Sequence, residues 1–136
     1  ALARAAYQGA LRVDPDIIIM VLAATAQQRA VEGLGCAWAG EIFADRAYND
    51  DATLVDRALP GAVIHDPDLA ARRMVEMVQA GAIVTESGAR IPAPVDTICL
   101  HGDGATALQI ARAVRAALEA AGVTLAPFAG RRGAAG

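Results

Sequence analysis

The sequence predicts an α/β fold organised around a parallel sheet. Helical and strand-like segments alternate along its 136 residues. The strand candidates are continuous apolar runs, as expected of strands in a parallel sheet, where both faces are covered. The helix candidates carry one apolar stripe each, bounded by recognisable start and stop residues.

Residues 2–12 are helical in composition and stop before Asp14–Pro15, where the residue preceding proline is steered away from helix. Residues 17–22 form a β-branched apolar run that suits a strand covered on both faces. Thr25 with Gln28 three residues on reads as a capping box for a short helix ending at Gly33. A second strand is expected over residues 39–44, followed by a long polar connection, residues 45–60. Residues 61–65 are a short apolar segment. Asp66 and Pro67 then supply an N-cap and a first helical residue, and Gly81 supplies the stop. In that helix Ala70, Met74, Met77 and Val78 form the expected buried stripe, with Arg72, Arg73, Glu76 and Gln79 toward water. A short ribbon is expected around Ile83–Val84 and Arg90–Ile91, then a strand at residues 97–100 running into His101–Gly102–Asp103. A last helix over residues 105–121 buries Ala107, Ala111, Val114, Leu118 and Ala121, with Arg115 able to pair with Glu119.

Composition excludes several function classes. A net charge of -3 leaves no clustered basic surface for a nucleic acid, and aromatics at 4% leave little for stacking. No apolar run approaches the roughly 20 residues that span a bilayer. Cys36 and Cys99 lack metal or redox spacing and read as reduced thiols, which points to the cytoplasm. The chain opens on Ala1 in mid-helical pattern, and we read it as a fragment of a longer protein.

Functional groups in parallel α/β folds gather at the C-terminal ends of strands. Period-two alternation there sends Glu41, Phe43 and Asp45 to one face of their strand, and Thr97, Cys99 and His101 to one face of theirs. Two strands thus aim carboxylates and a histidine at one place. A histidine can act as general acid or base, carboxylates can activate water, and an arginine such as Arg46 can hold a carboxylate or phosphate. The structural alternatives are that Asp45 caps a turn, Arg46 neutralises a surface acid, His101 is a core histidine, Asp103 caps the last helix, and His65 is structural. A one-residue slip in register would put Glu41 in solvent. Gly102–Asp103–Gly104 before a helix also resembles an anion-binding turn. No glycine-rich phosphate loop of the G-x-x-x-x-G-K-[ST] kind is present, and one histidine with a few acids makes an incomplete metal set.

EIFADRAYNDDATLV from Glu41, LPGAVIHDP from Leu59 and DTICLHGD from Asp96 resemble the C-terminal half of the LamB/YcsF family. The resemblance continues through AGVTLAPF, ending at Phe128. It implies that residues 1–128 are the C-terminal half of a (β/α) barrel with an incomplete strand count, related in shape to the polysaccharide-deacetylase type, with residues 129–136 a flexible tail. It implies an ATP-dependent 5-oxoprolinase activity, hydrolysing the lactam of 5-oxoproline to glutamate with ATP as co-substrate and subunits B and C as partners. Carried onto this chain, the family's polar positions are Asp45, Arg46, His101 and Asp103, expected to be catalytic, and Tyr48, expected with Glu41 to touch substrate. The metal requirement stays open. The family usually carries glycine where this chain has Ala52, and its N-terminal half, with a K-P-H-G-A block, is missing here. The alternatives are an association module without catalysis of its own and a metal-dependent hydrolase of the deacetylase kind.

Overall fold

In a computed structural model, which describes residues 1–132, the order of elements is α1 (Leu2–Val13), β1 (Ile19–Leu22), α2 (Ala26–Glu32), β2 (Ala37–Phe43), α3 (Pro67–Ala80), β3 (Ala82–Val84), β4 (Arg90–Pro92), β5 (Thr97–Cys99), α4 (Ala107–Ala120) and β6 (Arg131–Arg132). The expected α/β alternation is present. Strands β1, β2 and β5 are parallel neighbours with β2 central, while β3 and β4 form the expected antiparallel ribbon.

Register explains where the core lies. Ile19 stands beside Trp38, Val21 beside Gly40 and Ile42 beside Ile98, so these residues share one face of the sheet. On that face α1, α2 and the turn after α2 pack through Tyr7, Leu11, Val31 and Leu34. Further along it α3 and α4 pack through Met74, Met77, Ile110, Val114 and Leu118 onto Ile42 and Ala44. The helices therefore lie on one side. On the other, Met20 is 53% exposed and Glu41, Phe43 and Cys99 are half-buried, so β1 is not covered on both faces as its apolar run suggested. An apolar run registers average hydrophobicity, and only the register tells which half of it is covered.

Several local expectations hold. Asp66 accepts hydrogen bonds from the amides of Asp68 and Leu69, Pro67 opens α3, and Gly81 ends it in the left-handed region at φ 58°. Thr25 does cap α2, but through the amide of Gln27, while the Gln28 side chain reaches back to the Ala24 amide. Asp103 does not cap α4, which begins only at Ala107 after Thr106. The expected stripe on α4 shifts to Ile110, Val114 and Leu118, with Ala107, Ala111 and Ala121 at its margins.

The expected flexible tail, residues 129–136, is described only to residue 132, and within it lies β6. Arg131–Arg132 pairs antiparallel with Ala37 and Trp38, and the Arg131 Nε donates to both oxygens of Asp96 at 2.8 Å. Residues 133–136 lie outside the described part. Asp96 also accepts from the Gly40 amide at 2.9 Å and returns its own amide to the Gly40 carbonyl. A Cβ at Gly40 would lie 2.3 Å from the Pro94 carbonyl oxygen, so only glycine lets the segment before β5 cross the sheet this closely.

Candidate functional site

The C-terminal ends of β2 and β5 bring together the two residues that alternation selected most clearly. His101 Nδ1 lies 2.7 Å from Asp45 Oδ2 and 2.8 Å from Oδ1. An ionised carboxylate only accepts, so Nδ1 carries the proton and donates, which leaves Nε2 with its lone pair for other work. Phe43 stacks on the imidazole with ring centroids 5.5 Å apart and planes inclined by 26°. Together the acid and the aromatic ring fix the orientation of the histidine. Both members remain accessible, with side-chain exposures of 28% for His101 and 13% for Asp45.

The polar connection after β2 is tied down around this pair. Ile64 donates its amide to the Asp45 carbonyl at 2.8 Å, Ala47 to Ala62, and Val55 to Ala47. Asp50 accepts from Thr85 and Ser87, linking the loop to the turn between β3 and β4. At its tip Ala52 is buried with φ 67°, in the left-handed region that favours glycine.

The remaining expected site residues fall into three groups. Asp103 and Arg46 line the same cavity as the pair, a space of about 250 Å³ that also meets Arg57, His65 and the start of α4. Arg46 is buried, and its guanidinium donates to the carbonyls of Val55 at 2.6 Å and Ala62 at 3.3 Å. It does not neutralise a surface acid. His65, read as structural, instead sits exposed on the cavity wall. Glu41 lies on the expected face, half-buried; burial raises its carboxyl above the usual range and the neighbouring His101 pulls it partly back.

Tyr48 departs from expectation. It is fully buried, and its hydroxyl accepts the Phe43 amide at 2.8 Å. That amide has run past the end of β1, so the tyrosine replaces a missing strand partner. Burial, the largest cause, pushes its hydroxyl up to about 12.

Arg73 was not anticipated as part of the site at all. From α3 it reaches the carbonyls of Ala44 and Arg46, at 3.5 and 3.2 Å, one on each side of Asp45. Burial lowers its pKa, opposed by nearby Tyr48. A signal existed, since position 73 directly precedes the buried Met74 and a long arginine there can run along the core edge. Among the described residues no three His, Cys, Asp or Glu side chains gather in a metal-binding cluster.

Comparison with known proteins agrees with the residue pattern. The model of the LamB/YcsF family matches residues 1–133. The chain is 73% identical over 127 residues to a 5-oxoprolinase subunit of the A type from Ruegeria pomeroyi, covering 93% of this chain and 50% of that protein. It is 51% identical over 127 residues to one from Rhodopseudomonas palustris, with the same coverage. The crystal structure of a lactam utilization protein from Thermus thermophilus superposes with a TM-score of 0.81 at 36% identity, over 93% of this chain and 50% of that one. The chain thus spans about half the length of the curated relatives it matches.

Proposed function

The chain belongs to the LamB/YcsF family, and on that footing we propose that it contributes a histidine–carboxylate pair to the hydrolysis of the 5-oxoproline lactam. The observation that carries this reading is the Asp45–His101 contact through Nδ1, with His101 on the wall of the cavity. Nε2 takes a proton from water as the water oxygen adds to the lactam carbonyl carbon. The ring C–N bond then breaks and the imidazolium returns the proton to the leaving nitrogen, giving the open-chain amino acid glutamate. Asp45 holds the tautomer and stabilises the imidazolium while it is charged. Phe43 limits rotation of the ring. Ring opening of this unstrained amide is coupled to ATP cleavage within a complex that includes subunits B and C. Asp103 is exposed on the wall of the same cavity.

Three parallel strands with their helices on one face, and polar groups at the strand ends of the other, support an arc of a (β/α) barrel. The coverage of relatives by half their length supports further strands supplied by the rest of such a protein.

The test is ATP-dependent glutamate release from 5-oxoproline by the full chain together with its partner subunits, comparing wild type with His101→Ala. Loss of a general base lowers kcat by about 10²- to 10⁴-fold. Unchanged turnover in a variant that unfolds like wild type would remove His101 from the reaction.

A further inference from the structure

The chain leaves β2 after Phe43, and the last main-chain bond to the neighbouring strand is that of the Ala44 amide to the Cys99 carbonyl at 3.1 Å. The three carbonyls that follow are nevertheless all held. That of Asp45 accepts from the Ile64 amide at 2.8 Å. Those of Ala44 and Arg46 accept from a single side chain, Arg73 of α3, through Nη1 at 3.5 Å and Nη2 at 3.2 Å. Peptide units are planar, so fixing the carbonyls before and after an α-carbon fixes the direction in which its side chain leaves. For Asp45 that direction decides the contact with His101. Its carboxylate has no hydrogen-bond partner other than His101 Nδ1 among the described residues, so its own main chain is what aims it.

Arg73 is suited to the task at both ends. A guanidinium presents its N–H groups in a rigid planar fork, which holds two acceptors at a set separation, whereas a lysine ammonium is one nitrogen on a flexible stem. The root of the side chain is equally firm. Arg73 directly precedes the fully buried Met74, which packs with Met77 in the core that contains Ile42 and Ala44. Arg73 is half-buried and makes no ion pair among the described residues, so these two carbonyls are its partners. It is not among the residues lining the cavity of Asp45 and His101, and it works from behind that wall.

We propose that Arg73 is a positioning residue for the Asp45–His101 pair, clamping the main chain on both sides of Asp45 so that the carboxylate meets His101 Nδ1. Its effect on turnover rests on the proposed hydrolysis. Its effect on the contact does not.

The experiment reads the contact directly. The ¹⁵N shifts of the His101 imidazole, assigned by their loss in His101→Ala, report which ring nitrogen carries the proton in mildly alkaline solution, where an imidazole is neutral. Wild type, Arg73→Lys and Arg73→Met would be compared with Arg72→Lys, an exposed neighbour on the same helix, and thermal unfolding checks that each is folded. Arg73→Lys keeps the charge and the stem, and it carries the test should Arg73→Met not fold. Wild type and Arg72→Lys should hold the proton on Nδ1. In the Arg73 variants the ratio of the Nδ1–H to the Nε2–H form should fall about tenfold, as a charge-assisted hydrogen bond is weakened. In the assay with partner subunits, kcat of Arg73→Lys should fall about 10- to 100-fold with KM within about twofold, because Arg73 does not line the cavity. A folded Arg73→Lys with the wild-type proton distribution, or with unchanged kcat and a raised KM, would overturn the inference. Full activity of His101→Ala would remove the proposed hydrolysis and leave the hold of Arg73 on Asp45 to the ¹⁵N measurement, which needs no turnover.

Discussion

Replacing Tyr48 with phenylalanine removes one oxygen and keeps the ring that fills the core. The lost oxygen accepts the Phe43 amide at 2.8 Å, where β1 has already ended. That amide is then left without a partner in a half-buried setting, which costs about 1–3 kcal/mol. A second magnitude comes from the hydroxyl's ionisation. Its folded-state value is raised from 10.0 to about 12, so its contribution is complete below 10.0 and is lost as pH rises through about 12. Over that window wild type loses about 2–3 kcal/mol that the phenylalanine variant has no means to lose. Urea unfolding followed by circular dichroism measures both effects. Wild type should be the more stable at neutral pH, and the gap should close as the solution is made alkaline. Equal stability at neutral pH, or a gap indifferent to pH, would refute the role assigned to the hydroxyl. Tyr7 also titrates at raised pH, but it is common to both proteins and cancels.

Two other perturbations test the scaffold. Gly40→Ala should destabilise by about 1–3 kcal/mol in thermal or urea unfolding, because the added methyl meets the Pro94 carbonyl and the ring Cγ at 2.9 Å. Glu41→Gln should be more stable than wild type at neutral pH, because burial disfavours the charged carboxylate in the folded state. With the folded-state pKa raised, the wild-type penalty vanishes below the unfolded value of 4.5 and grows as pH rises above it, so the two unfolding midpoints should converge in acid.

The sequence made the centre of the site legible because strand alternation is a rigid rule. Once β2 and β5 are recognised, Asp45 and His101 must emerge on the same face, and parallel pairing of Phe43 with Cys99 brings their ends together. Helix stops and starts were equally plain, since Asp66, Pro67 and Gly81 act through their own local chemistry. Contacts that depend on how loops return to the sheet were not legible. Tyr48 stands in a polar run and looked like a ligand contact, yet the loop folds it inward to serve Phe43. Arg73 looked solvated by helical periodicity, yet its length lets it reach past the helix edge to the carbonyls flanking Asp45. Asp103 looked like a cap because it precedes a helix, but three residues intervene before Ala107 and leave α4 uncapped. The pairing of Arg131–Arg132 with β2 could not be read from a Gly/Ala-rich tail, because it depends on Asp96 being held at Gly40.

We propose that Asp45 and His101 act as one catalytic unit, and a double-mutant cycle on turnover measures their coupling. The full chain with its partner subunits would be assayed for ATP-dependent glutamate formation as Asp45→Asn, His101→Ala and the pair together. If Asp45 works through His101, removing both lowers kcat about as much as removing His101 alone. Losses that multiply would mean that the two residues act independently, and turnover unaffected by either change would remove both from the reaction.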